Sequence, residues 1–167
     1  MRFSDFLKAT VLLSAGSATL LAVITVLGAA SDTGEPTLTY VGVAWWGVAA
    51  VAGAWLGRRN EASPPIARLL ADARTQMTLP ELRPGATLLT RLWPLLFSTL
   101  GAAVMGLFVP QVAAVAAGFA IIWSLAWRHQ DAAVTAIEDR DGFRFYVDRT
   151  PPLQPIRLLR TPGLMAG

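Results

Sequence analysis

The chain contains no cysteine, which excludes disulfides, thiolate metal sites and iron–sulfur ligation within it. It has a single histidine, His129, so paired axial haem ligation by two histidines of one chain is excluded as well. Charge is scarce: only 15% of residues are charged, and lysine occurs once, at Lys8, among fourteen basic residues. Four stretches, Ala9 to Ala30, Leu38 to Gly57, Leu92 to Val109 and Val112 to Trp127, carry no charge at all. Ion pathways and proton relays usually retain ionisable groups inside a span despite their cost, so their absence there counts against a self-contained pump. Also missing are a glycine-rich phosphate loop, a nucleophile elbow, a paired zinc-ligand motif and a dinucleotide fingerprint. No enzyme, no cofactor and no metal is expected from these residues.

What is present is apolar. Hydrophobic residues make up 54% of the 167, and the mean hydropathy is +0.49. Because the apolar residues are gathered into uncharged blocks of about 16 to 22, the blocks read as bilayer spans rather than core strands. The fold expected is an all-α integral membrane protein with four transmembrane helices arranged as two hairpins. They occupy about 9–30, 38–57, 92–109 and 112–127, which makes 1–127 the membrane domain and 128–167 a cytoplasmic tail. Cleavage after Ala29-Ala30 as a secretory signal is the rival for the first span, but Ala9 to Ala30 exceeds the apolar core of such signals. The last two spans, separated by Pro110-Gln111, are near the lower length limit. A shallow hairpin that stops short of the far side is their alternative reading.

The polar segments set the orientation. Arg2 and Lys8 precede the first span, six arginines lie between the second and third, and six follow the fourth. The acidic turn Ser31 to Pro36 and the Pro110 turn carry none. All fourteen basic residues thus fall on one side of a four-span chain, and the positive-inside rule makes that side the cytoplasm of a plasma or bacterial inner membrane, with both termini there. Trp55, Arg58, Arg59, Trp93 and Trp127 stand where membrane-interface anchors belong. Acidic residues are interleaved with the arginines, so no single basic patch forms and nucleic acid is not an expected partner.

Between the second and third spans, Ser63-Pro64-Pro65 starts a helix expected over about 64–79. Ile66, Leu69, Leu70, Ala73 and Met77 give it one apolar stripe opposite Arg68, Asp72, Arg74 and Gln76. The stripe suits a helix lying in the headgroup layer, with packing on a partner or on the chain's own tail as the other option. In the tail, Asp139-Arg140-Asp141-Gly142 between Val134–Glu138 and Phe143–Val147 signals a short β-hairpin, while continuation of the helix through Ala132 to Ile137 stays open. Asp139, Asp141 and Gly142 resemble the start of a calcium loop but lack its later ligands. His129, beside Trp127, reads as an interfacial polar residue. Beyond Thr150 a proline-rich extended arm follows, too apolar for a solvated disordered segment.

Two residue sets carry the expectations about association. Ala49, Gly53 and Gly57, with Ala102 and Gly106, have the four-residue spacing that lets helix backbones approach. Phe143, Phe145, Tyr146, Ile156, Leu158 and Leu159 put an apolar partner surface on a tail that looks too small to fold alone. The function expected is a non-catalytic membrane subunit or scaffold that binds another membrane protein complex or its own copies. A transporter or channel component with its pathway between protomers is the alternative. Topology is checked by reporter fusions: a reporter at Gly34 or Gln111 is expected outside the cytoplasm and one after Gly167 inside it. A cytoplasmic reading at Gly34 or Gln111 overturns the arrangement.

Overall fold

The computed structural model describes residues 1–31, 37–76, 84–148, 150–151 and 154–162. In chain order the elements are α1 (Phe3–Ser31), α2 (Thr37–Leu56), α3 (Pro64–Ala71), β1 (Arg74–Thr75), α4 (Pro84–Gly106), α5 (Pro110–Trp127), α6 (Gln130–Asp141), β2 (Phe143–Val147) and β3 (Leu158–Pro162). The protein is mostly helical with a small mixed sheet, and four of its helices are long and apolar enough to cross a membrane. The acidic turn expected after the first span lies outside the described residues, apart from Ser31.

The third apolar helix is longer than its uncharged block. Pro84, whose missing N–H costs nothing in the first turn, opens α4, so the helix starts eight residues before the uncharged block at Leu92. At 1.5 Å per residue its 23 residues extend roughly 35 Å, with Arg91 inside the helix. Pro94 sits inside it.

Contacts divide the chain into two units. One comprises Thr10–Arg58 and Trp93–Arg128. Within it, α2 and α5 meet along a seam made possible by small residues. Ala49 is fully buried, and a Cβ on Gly53 would lie 2.9 Å from Leu125 Cβ and 3.0 Å from the Ile122 Cα. A Cβ on Gly57 would strike the Leu125 carbonyl oxygen, and one on Gly118 would run into the Trp45 indole. Gly118 is therefore the hole that Trp45 fills. The neighbouring tryptophans tie the seam with polar bonds: Trp46 Nε1 donates to the Ala114 carbonyl at 2.9 Å and Trp45 Nε1 to the Val115 carbonyl at 3.3 Å. Indole N–H groups directed at a helix backbone have no better partner where lipid replaces water.

The other helices of this unit use the same device more sparingly. Ala102 packs against a cluster of Leu21, Ala113 and Ala117, and a Cβ on Gly106 would lie 2.6 Å from Ala113 Cβ. On α1 the buried stripe is Thr10, Ser14, Ser17, Ala18, Leu21 and Thr25. Its hydroxyls are satisfied locally, Ser14 by the Thr10 carbonyl and Thr25 by the Leu21 carbonyl, both at 2.8 Å. Ser17 accepts a bond from Thr99 of α4 at 3.0 Å.

The second unit comprises Met1–Ala9, Arg59–Leu92 and His129–Gly167. The tail is thus not a separate piece: it shares a folded unit with the start of the chain and with the segment after α2. Its sheet has the order β1-β3-β2, with β1 parallel and β2 antiparallel to β3. Three expectations are corrected here. Residues 130–141 are helix, so Asp139 to Gly142 is not a hairpin turn. Gly142, at φ 69°, is instead the left-handed residue that ends α6, a position costly for any residue with a Cβ. The strand expected at Phe143–Val147 does form, but its partner is Leu158–Pro162 from the proline-rich arm, not Val134–Glu138.

The helix expected over 64–79 ends at Ala71, and Arg74–Thr75 is strand; Met77 to Leu79 lie outside the described residues. Strand pairing to Leu159 and Arg160 takes the backbone that helical periodicity had claimed. Ile66 and Leu70 are 1% and 8% exposed, so these two residues of the apolar stripe are buried by the chain's own packing, while Leu69 and Ala73 are half-buried.

The seam is tested by adding one methyl group at chosen glycines. Gly57→Ala and Gly118→Ala are expected to lower the thermal midpoint in detergent, by an amount corresponding to about 1–3 kcal/mol of overpacking. Gly47→Ala, whose Cβ meets nothing within 4 Å, is expected to leave it unchanged or raise it slightly.

Candidate functional site

The most constrained group in the second unit is a carboxylate. Glu138 stands on the last turn of α6, four residues before Gly142 turns the chain into β2, and its side chain is fully buried. The reversal at Gly142 brings the Phe145 amide back to Glu138 Oε1, to which it donates at 2.9 Å. Glu138 Oε2 accepts from Arg2 Nη2 at 2.8 Å and from Arg144 Nη1 at 3.2 Å. Arg144 also reaches Asp139 at 3.1 Å. Two carboxylates and two guanidiniums therefore balance, which is what burial of Glu138 requires. The bond to Glu138 is the main cause that raises the Arg2 guanidinium above its ordinary value, so Arg2 is charged at every pH a cell reaches.

The same residues close the edge of β2. Arg2 forms a bridge with Tyr146, and the Val147 amide donates to the Met1 carbonyl at 3.0 Å. With the Phe145 amide spent on Glu138, two alternate donors on β2 are occupied by the chain's own start and by a buried carboxylate. An unpaired strand edge would otherwise offer them to another chain. At the other end of α6, Gln130, only 6% exposed, accepts from the Ser63 amide at 2.8 Å and donates to the Glu61 carbonyl at 3.3 Å. Arg91 donates to the carbonyls of Gln154 at 2.6 Å and Thr150 at 3.4 Å, holding the proline-rich arm. Oppositely charged Lys8 and Asp131 lie 4.0 Å apart and partly exposed, a pair worth about 0–1 kcal/mol.

This arrangement binds chain segments to one another. Among the described residues, the hydrogen bonds of the Glu138 carboxylate come from Arg2, Arg144 and the Phe145 backbone, and its side chain is fully buried. Among the described residues, no group of three His, Cys, Asp or Glu is placed to hold a metal ion. His129 occupies the N-cap position of α6.

The expected partner residues divide sharply. Phe145 and Leu158 are 4% and 2% exposed, interior residues of this unit that cannot serve as a partner surface. Phe143 is half-buried beneath the Arg160 guanidinium, which lies 4.2 Å from its ring centre. Tyr146, Ile156 and Leu159 are half-exposed, and Tyr146 and Leu159 are direct cross-strand neighbours. Among the expected interface residues of the other unit, Trp55 is 60% exposed with the Arg58 guanidinium 5.0 Å from its ring centre. Trp93 is exposed, and Trp127 stacks on Trp123 at 5.4 Å. Arg59, in the second unit, is exposed.

Glu138, Arg2 and Gln130 carry the most constrained bonds and were not legible in advance. Arg2 and Glu138 are separated by 136 positions, and no local spacing pairs them. The one available signal was Gly142, whose place after an acidic helix end marks a left-handed cap.

Removing the carboxylate is expected to leave two guanidiniums and an amide short of a partner. Glu138→Ala should destabilise the protein by about 3–5 kcal/mol in a denaturant titration in detergent. Arg2→Ala, at a half-exposed position, should cost about 1–2 kcal/mol, and the double variant less than the sum of the two. Additive effects would show that the pair contributes nothing.

No family model matches the chain, and neither a curated protein nor a solved structure matches it.

Proposed function

We propose that this protein is a non-catalytic polytopic membrane subunit that holds a small folded module at the cytoplasmic face of the cell membrane. There it binds another membrane protein or a second copy of itself. The observation that carries this reading is the unit built from Met1–Ala9, Arg59–Leu92 and His129–Gly167. The buried Glu138 carboxylate ties the start of the chain to the tail, while Gln130, Arg91 and the β1–β3 pairing tie in the segment after α2, an arrangement that supports a unit built to hold a shape and to present a surface. The basic residues of the polar segments support the cytoplasmic orientation. Four apolar helices support the membrane anchorage.

The partner surface is narrower than the apolar composition of the tail suggests. With Phe145 and Leu158 inside, it centres on Tyr146 and Leu159, which pair across β2 and β3, together with Ile156. An aromatic and two aliphatic side chains on a rigid sheet form a suitable anchor for a protein partner.

The absence of cysteine makes a clean test possible. Tyr146→Cys and Leu159→Cys variants, treated in native membranes with a thiol-reactive photocrosslinker, are expected to give a discrete adduct with this chain or with one other membrane protein. Gly85→Cys, exposed at the start of α4, serves as the comparison. Adducts no stronger at 146 and 159 than at 85, together with a monomeric mass in mild detergent, would overturn the proposal.

A further inference from the structure

Helix α2 has two unlike faces. Gly42, Trp46, Ala49, Gly53 and Gly57 continue the line of the seam with α5, whereas Ala44, Gly47, Val48, Val51, Ala52 and Trp55 line an open apolar groove of about 550 Å³. On this face Gly47 stands at one margin and Ala52 at the other, with Ala44, Val48, Val51 and Trp55 between them. Nothing in the chain approaches Gly47: a Cβ built there meets no atom within 4 Å. A glycine in the middle of a helix costs about 1 kcal/mol relative to alanine, and the chain's own packing does not require this one.

At the C-terminal end of the groove, the exposed Arg58 guanidinium lies 5.0 Å from the ring centre of Trp55, which is itself a wall of the groove. Among the described residues no carboxylate stands within ion-pair distance of Arg58. The cation is thus held in place by an aromatic face and keeps its N–H donors available for an external acceptor. An apolar channel ending in a fixed guanidinium matches one chemistry, an acyl chain joined to an anionic phosphate.

We infer that the α2 groove with Trp55 and Arg58 is a binding site for an anionic phospholipid, one acyl chain lying along Ala44 to Ala52 and the phosphate accepting from Arg58. The site rests on the reading of α2 as a bilayer span and is independent of the protein partner. Its lipid would occupy the leaflet reached by the C-terminal end of α2, the side where arginine and tryptophan anchors collect.

The test is lipid retention by the full chain in detergent, read by native mass spectrometry with phosphatidylglycerol, with phosphatidylcholine of the same acyl chains, and with inorganic phosphate. Both lipids offer the same phosphate, but the choline cation of phosphatidylcholine offsets its charge, so phosphatidylglycerol is expected to bind about fivefold more tightly, the scale of an exposed ion pair of about 1 kcal/mol. Arg58→Gln should abolish that preference, while Arg68→Gln, a charge-matched control on α3, should keep it. A Cβ at position 47 meets no atom within 4 Å, so Gly47→Leu, which crowds one margin of the groove, should weaken both lipids at an unchanged thermal midpoint. The inference is overturned if phosphatidylglycerol and phosphatidylcholine bind alike, if Gly47→Leu leaves lipid affinity unchanged, or if inorganic phosphate competes as well as the lipid. Carbonate extraction of the same membranes reports separately on whether the chain is inserted, and crosslinking at Tyr146 reports on the partner.

Discussion

The buried carboxylate of Glu138 is the point on which the polar unit of this protein depends. A fully desolvated carboxylate is tolerated only when its charge and its lone pairs are both answered. Here Arg2 and Arg144 supply the charge, while the Phe145 amide ties the group to the sheet. Each of these partners comes from a different structural role: the entry to α1, the side chain of a strand, and the backbone of that strand. Satisfying one carboxylate therefore fixes the start of the chain, the end of α6 and the edge of β2 together. Gln130 does the same at the other end of α6, where one side-chain amide serves the backbone of residues 61 and 63.

The apolar unit is held by a different force. Lipid offers helices no hydrophobic reason to associate, so close approach and polar contacts must provide it. At the seam of α2 and α5, Gly53, Gly57 and Gly118 remove the atoms that would keep the backbones apart, and the Trp45 and Trp46 indoles bond to carbonyls of α5 across the gap. Between α1 and α4 a single Thr99 to Ser17 bond contributes in the same sense. The two units thus pair their elements by different means, one through an ionic cluster set among buried apolar side chains such as Phe3, Leu7, Ile66 and Val134, the other through missing side chains.

That division bears on function. In the unit built around Glu138, the side chains of Arg2, Glu138, Arg144 and Asp139 are engaged with one another. Tyr146, Ile156 and Leu159 remain half-exposed, and the proposed partner surface rests on them. The groove on the free face of α2 adds a second kind of surface, one addressed to lipid rather than to protein.

Composition and periodicity alone determined the four long apolar helices, because length and freedom from charge are local properties that a bilayer span must have. Close approach at Gly53 and Gly57 was legible for the same reason, since a four-residue spacing repeats along one helix face. The strand at Phe143–Val147 was legible from alternation, but its partner was not. The Asp-Gly signal that suggested a hairpin serves at Gly142 to end a helix, and the choice between those uses is made by what packs on Val134 and Glu138. Only the tertiary structure decided that Phe145 and Leu158 face inward, that Ile66 and Leu70 are spent on the chain's own core, and that Arg2 answers Glu138. Those outcomes depend on residues far apart in sequence, and the burial of a charge has no signature until its partners are in place.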